Sequence, residues 1–385
     1  MQTAVTSTFP FVHRSSLMNI YLTKMSAAPP DFTAHGRRPG VSTLLVVLVA
    51  AVVLSCLLLH RAVEFGISSS SFPIFDNGAP LSSDSKEYSL ERVLKVASMP
   101  DNRVILTTLN EAWAAPNSVL DLFLESFRVG ERTHWLLNHL VIVCLDQKAF
   151  SRCKAVHSHC FSLVTEGVDF SHEAYFMTPG YLKMMWRRID FLRSVLEMGY
   201  SFVFTDADVM WFRDPFPHFH PDADFQIACD HFPGRSDDLE NKPNGGFKFV
   251  RSNKRSTEFY KFWHASRVLY PGLHDQVLNN IKNDSFITEM GLRLRFLDTS
   301  TFGGFCEPSE DLDEVCTMHA NCCFGLSSKL HDLRILLEDW KMYVSSSSLS
   351  SESSGDSGWR VPQNCSLDSL HLYVQQHDPT LPDPI

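Results

Sequence analysis

The chain has 385 residues and a formal net charge of −10, long enough for one large domain with a full core plus appendages. That acidic balance gives no basic footprint, and no Lys/Arg stripe runs along the sequence, which argues against nucleic-acid binding. A hydrophobic share of 44% with 29 Phe belongs to a globular protein rather than a disordered one.

Residues 41–59 form an uncharged apolar run broken only by Ser42, Thr43 and Ser55. As a helix the run would span about 28 Å, close to a hydrocarbon core. Arg37 and Arg38 stand just before it, with Arg14 and Lys24 further upstream, so residues 1–40 are expected in the cytosol and the rest in a lumen. A cleaved signal peptide would need a shorter leader than this one. A transit peptide fits the acid-poor, Ser/Thr-containing residues 1–36 but has no use for the apolar run. The expectation is a single-pass signal anchor, short enough for the thinner bilayers of the early secretory pathway. Nine of the ten cysteines follow it, an odd number that leaves at least one thiol unpaired, and their pairing is open. Asn283-Asp284-Ser285 and Asn364-Cys365-Ser366 match the N-glycan acceptor pattern.

Residues 60–98, with four serines at 68–71 and no sustained period, read as a stem. The pattern changes at Val104. An apolar strand over 104–106 runs into Thr107-Thr108-Leu109-Asn110, and a helix over 118–127 places Val119, Leu122, Phe123 and Phe127 on one face. A second strand covers 140–145, and a long amphipathic helix over 181–198 stops at Gly199. The next strand, from Phe202, carries Asp206 and Asp208. Further on come a strand over 225–228, a glycine turn at Asn244-Gly245-Gly246 feeding a strand to Val250, and helices over 256–267, 274–281 and 330–343. Residues 345–358 are a Ser-rich linker, and 359–385 a short terminal segment. Strands alternating with helices predict an α/β fold with a mostly parallel mixed sheet, whose ligands bind beyond the carboxyl ends of the strands.

Asp206 and Asp208 sit at such an end. In extended chain, residues two apart point the same way, so both carboxylates can aim at one point. Two bare charges about 5 Å apart repel by roughly 3 kcal/mol at an effective dielectric near 20. A divalent cation offsets that and then attracts a second anion such as a diphosphate. Solvated turn aspartates are the plain alternative; the preceding strand and flanking aromatics favour the metal.

Four other groups stand out, each with a structural alternative. Lys183 and Arg187, four apart on the long helix, could hold the phosphates of an anionic donor or form a solvated basic face paired with Asp190. Asn244, Gly245 and Gly246 would let backbone approach a ligand, or would form a hairpin turn. Asp275 and Gln276 could bond sugar hydroxyls or cap a helix. Cys316-x-x-His319-x-x-Cys322-Cys323 could bind zinc, could bring His319 to the Asp206–Asp208 metal with the cysteines stapling its loop, or could be a histidine beside disulfides. Oxygen ligands plus one imidazole suit Mn²⁺ better than Ca²⁺ or Zn²⁺.

Taken together, the stretches 181–189, 202–216, 244–247, 274–276 and 318–323 resemble the plant nucleotide-diphospho-sugar transferases of glycosyltransferase family 77. The resemblance covers about residue 100 to 345. It implies a single GT-A, Rossmann-like catalytic domain over 99–345, in a Golgi type II membrane protein anchored by one N-terminal helix. It also implies a UDP-sugar donor, Mn²⁺ (or Mg²⁺), retention of configuration, and transfer of a pentose such as arabinose or xylose, or of galactose, to a cell-wall glycan or glycoprotein. Carried over, Asp206 and Asp208 bind metal and donor, and His319 completes the metal shell. Asn110 and Trp113 follow the first strand on the nucleotide side; Asn244–Gly246 and Asp275–Gln276 line the sugar and acceptor side. Two other functions compete. Asp206-Ala207-Asp208-Val209 also fits the Asp-x-Asp-x-Val opening of haloacid-dehalogenase phosphatases, with Asp206 as nucleophile, although that motif normally opens its domain and here a long α/β stretch precedes it. A non-catalytic luminal protein binding cation or glycan is the other.

Overall fold

The computed structural model describes residues 89–173, 178–273, 277–347 and 358–365, which belong to one compact unit. Helix α1 (Leu90–Ala97) opens it, capped by the Ser89 hydroxyl, with Val93, Leu94 and Ala97 buried. The end of the expected stem is therefore folded: Leu90, Val93, Leu94 and Ala97 recur at helical spacing and bury one face. Strand β1 (Arg103–Leu109) leads into the short α2 (Glu111–Ala114) and α3 (Val119–Val129). Then follow β2 (Leu140–Cys144), α4 (Gln147–Val156), β3 (Cys160–Ser162) and α5 (Pro179–Glu197). Thr178 caps α5 with Pro179 in its first turn, and Gly199, at φ +87°, ends it in a conformation that costs other residues a Cβ clash.

After α5 come β4 (Ser201–Thr205), β5 (Val209–Trp211), β6 (Phe225–His231), β7 (Lys242–Val250), α6 (Lys254–Ser266), α7 (Leu278–Ile281) and α8 (Ser285–Glu289). The chain closes with β8 (Leu294–Phe296), β9 (Phe302–Gly304), β10 (Thr317–His319) and α9 (Leu326–Ser347). Seven strands form one sheet in the order β3-β2-β1-β4-β7-β6-β8. The β3-β2-β1-β4 half is parallel throughout; β7 runs antiparallel to both of its neighbours, and β8 is parallel to β6. The chain steps outward from β1 to β3, and α5 then carries it back to the far side of β1. That reversal puts the topological switch between β1 and β4, where open α/β sheets bind ligands. A second sheet, β5-β10-β9, lies beyond the end of β4. Aromatic rings join the two sheets: Trp211 of β5 packs edge-on against Phe247 of β7, and Phe219 packs against Phe247, Phe249 and Phe302. Removing a buried ring of this kind costs about 3–5 kcal/mol.

Two expected details differ. Asp206 and Asp208 do not extend a strand; they lie on a tight turn between β4 and β5, closed by the Val209 N–H donating to the Asp206 carbonyl at 3.2 Å. The turn exists because the chain leaves the large sheet there to pair with β10. Asn244-Gly245-Gly246 is not a hairpin turn but lies within β7, whose pairing to β6 is irregular opposite it.

Disulfides join Cys153–Cys160, Cys306–Cys322 and Cys323–Cys365, leaving Cys144, Cys229 and Cys316 as buried thiols. Cys323–Cys365 ties part of the terminal segment to the domain, where Asp332 also accepts from the N–H groups of Gln363, Asn364 and Cys365. Residues 1–40, the apolar run 41–59, most of the expected stem, Asp275, Gln276 and the bulk of the Ser-rich linker and tail lie outside the described residues. Among the described residues no helix is long and apolar enough to cross a membrane.

Candidate active site

The Asp206–Asp208 turn is pinned from both sides. The Asp206 N–H donates to the Gly246 carbonyl at 2.6 Å, and the Ala320 N–H donates to the Asp208 carbonyl at 3.0 Å. Antiparallel pairing of β5 with β10 sets Val209 opposite His319, and this register brings the imidazole beside Asp208. Ligand atoms of Asp206, Asp208 and His319 thus lie within 4.8 Å of one another. Glycine at 246 is a condition of this cluster, because a Cβ there would collide with the His319 ring and press on Asp206 Oδ2.

Asp208 is 1% exposed. Burial alone would raise its pKa, but Lys329 and His319 outweigh burial and hold the carboxyl well below the usual carboxylate range. Lys329 Nζ, from the first turns of α9, donates to Asp208 Oδ2 at 2.5 Å and to the Ala320 carbonyl at 2.8 Å. It also stands 5.6 Å from the Trp113 ring centroid, which places Trp113 at the rim of the site. Asp206 is more open, and its Oδ1 accepts from Nη1 of the buried Arg188 at 2.7 Å. The repulsion between the two carboxylates is therefore already offset by Arg188 and Lys329.

What the two cations leave unsatisfied is an acceptor atom rather than a charge. Asp208 Oδ1 is buried and accepts no hydrogen bond of ordinary geometry; the group that faces it is His319 Nε2, at 3.3 Å. A buried acceptor without a donor is costly, and a hard cation shared with the imidazole and Asp206 would satisfy it. The donor set of two carboxylates and one imidazole fits Mn²⁺ or Mg²⁺. Zinc held by the cysteines does not fit: Cys322 and Cys323 are in different disulfides, and burial pushes the Cys316 thiol up to about 12.

Other expected residues spread out. Asn110 caps α2 by accepting from the Trp113 N–H and ties down the 171–173 segment by donating to the His172 carbonyl. Asn244 donates to Asp230 Oδ1 at 2.7 Å, and Asn321 donates to the same oxygen at 2.8 Å. Asp230 thereby links β7 to the loop that follows His319. The Gly245 carbonyl accepts from the buried Lys248. Lys183 and Arg187 line a groove on another face of α5; Arg187 pairs with Asp190 at 3.3 Å and bonds Thr165, and neither has a described contact with the aspartate turn. The basic residue of α5 that reaches the turn is Arg188. Its signal was a lone cation on the apolar face of α5, between Met185 and Ile189. Lys329 and Asp230 carried no local signal. Asn283 and Asn364 are both exposed.

Residues 135–333, just over half of the chain, match the family model described as nucleotide-diphospho-sugar transferase. An uncharacterized Arabidopsis thaliana protein is 51% identical over 278 residues, 72% of this chain and 73% of the relative. A UDP-galactose:fucoside alpha-3-galactosyltransferase of Dictyostelium discoideum is 29% identical over 35% of this chain and 24% of its own length. A UDP-D-xylose:L-fucose alpha-1,3-D-xylosyltransferase of Arabidopsis thaliana is 22% identical over 54% of this chain and 55% of its own. With the aspartate turn at the switch point of an α/β sheet, these matches make the chain a glycosyltransferase belonging to the nucleotide-diphospho-sugar transferase family.

Proposed function

We propose that the protein moves a sugar from a UDP-sugar to a hydroxyl of a cell-wall glycan or glycoprotein, with Asp206, Asp208 and His319 holding Mn²⁺ (or Mg²⁺). The observation that carries the metal assignment is the buried Asp208 Oδ1, which lacks a donor in a site whose charges are otherwise balanced. The bound cation supplies a positive field for the departing diphosphate. Breaking the anomeric C–O bond builds negative charge on that diphosphate, and fixed cations in a site shielded from water lower the barrier. Arg188 and Lys329 are such cations: one is buried against Phe204, the other held by Asp208 and the Ala320 carbonyl. Asp206 and Asp208 fix their direction, and Gly246 keeps the imidazole in place.

The two characterised relatives are both named for α-linked transfer from a UDP-sugar to fucose, one of galactose and one of xylose. From them we carry over the UDP donor, a pentose or galactose as the sugar, and a retaining outcome in a GT-A domain over 99–345. Residues 41–59 serve in this proposal as the signal anchor of a Golgi type II membrane protein with the domain in the lumen. Three disulfides support an oxidising compartment, and the exposed Asn283 and Asn364 are accessible to glycosylation.

A phosphatase with Asp206 as nucleophile is disfavoured by the family match and by the Arg188 pair, which occupies a carboxylate oxygen of that residue. A non-catalytic luminal protein would bind the donor without turning it over. The test is UDP release by the full-length protein in detergent across a panel of UDP-sugars with Mn²⁺. We expect release from one donor, abolished by chelation. Donor binding with no release from any sugar would contradict the proposal.

A further inference from the structure

We propose that a groove along the outer face of α5 is the acceptor subsite and selects a carboxylate-bearing oligosaccharide. This rests on the transferase function above. The groove has a cavity volume of about 540 Å³, within the range of small-molecule sites. Lys183, Trp186, Arg187 and Asp190 of α5 line one side, and His264 and Arg267 at the end of α6 line the other.

Its charge runs against that of the chain. Three cations and one carboxylate line it, in a protein whose formal net charge is −10. Asp190 pairs with Arg187 and Arg193, at 3.3 and 2.8 Å, so the groove's uncommitted positive charge is that of Lys183 and Arg267. Lys183 is exposed and has no ion-pair partner among the described residues. Arg267 donates to the carbonyl and Nδ1 of His264, both uncharged acceptors, and so keeps its full charge. The Trp186 ring, 6.3 Å from that of His264, offers a flat apolar surface between these cations. Indole faces pack against the C–H faces of sugar rings, and Lys and Arg pair with carboxylates.

The groove lies toward the same end of the sheet as the aspartate turn. The short turn from α5 into β4 puts the C-terminal end of α5 at the start of β4, so its N-terminal half lies toward the edge where Asp206 sits. One residue past Arg187, on a different face of the helix, Arg188 grips Asp206. The donor's diphosphate has its own cations there in Arg188 and Lys329, which leaves the groove's charge for the second substrate.

The test uses full-length protein in detergent with two probes, tetragalacturonic acid and its carboxyl-reduced neutral counterpart. Exposed ion pairs are individually weak, so the two uncommitted cations predict about a fivefold tighter binding of the acid, and the preference shrinks as salt rises. Arg267→Glu removes the preference and leaves acceptor-free UDP release unchanged; Trp186→Ala weakens both tetramers. Equal binding of the two tetramers overturns the proposal, as does an Arg267→Glu variant that raises the donor KM and leaves the acid preference intact. Binding is read calorimetrically without donor, so the acid preference stands or falls independently of UDP release. Absent UDP release with the preference intact would refute the transferase function alone.

Discussion

Two buried carboxylates at opposite ends of the large sheet make an instructive pair. Asp208 lies past the end of β4, and Asp224 just before β6, which runs in the same direction. Burial opposes ionisation in both, and neighbouring cations outweigh it, so both titrate well below the usual carboxylate range. Their hydrogen bonding differs. Both Asp224 oxygens are saturated, by Asn253, Arg255, and the side chain and N–H of Arg293. Asp208 leaves one oxygen without a donor beside an imidazole. A depressed pKa therefore does not separate a structural carboxylate from a functional one here; the unfilled acceptor does.

The contrast breaks most sharply by substitution. Asp208→Asn should lower Mn²⁺-dependent UDP release by about 10²–10³-fold, since it removes a group that orients charge in the reacting site. Circular dichroism should show the fold retained, at reduced stability because Lys329 loses its buried partner. Asp224→Asn should cost stability without costing activity. It removes one partner of a buried ion cluster, which costs about 2–3 kcal/mol in urea unfolding. That is less than for a fully buried pair, because Arg255 and Arg293 keep 41% and 48% of their side chains exposed. Folded Asp224→Asn protein should turn over donor normally.

Gly246→Ala sharpens the geometry of the first site. The added methyl must displace His319 or Asp206, so metal affinity should drop by about 10-fold while unfolding shifts little. An unchanged Mn²⁺ titration would mean that His319 is not a ligand. The smallest effect is on acid stability. Folding lowers the pKa of both carboxylates, so below about pH 4 the unfolded chain binds protons that the folded one does not. Their contribution is complete above that pH and is lost as pH falls toward their folded values. Asp224→Asn should flatten this acid limb in urea midpoints measured from pH 6 downward.

Much of the parallel half was legible. Strands at 104–106 and 140–145 and helices over 118–127 and 181–198 follow from apolar period and a stop at Gly199, and each is present with shifted ends. The small sheet was not, because its strands are three residues long and too short to show a period. That is why the aspartates were expected on a strand, and why the Cys316-to-Cys323 spacing left His319 as one of three readings, with no sign of the register that delivers it. Helix α1 had a readable pattern and was obscured by the serines before it. The Lys183–Arg187 spacing offered donor phosphates or a basic face paired with Asp190, and Arg187 does pair with Asp190, while the two cations that reach the aspartates are set by packing. Lys329 comes from a helix more than a hundred residues away in sequence, and no local pattern encodes that contact. Cys322 and Cys323 are adjacent yet bonded to opposite partners, Cys306 and Cys365, a choice made by chain path rather than spacing.

The account turns on a cation at the Asp208 oxygen, and Mn²⁺ binding measured by electron paramagnetic resonance on the full-length protein with UDP tests it most directly. We predict one bound Mn²⁺ that is lost in Asp208→Asn and in His319→Ala and kept in Asp224→Asn. A bound Mn²⁺ that survives the loss of Asp208 and His319 would contradict it.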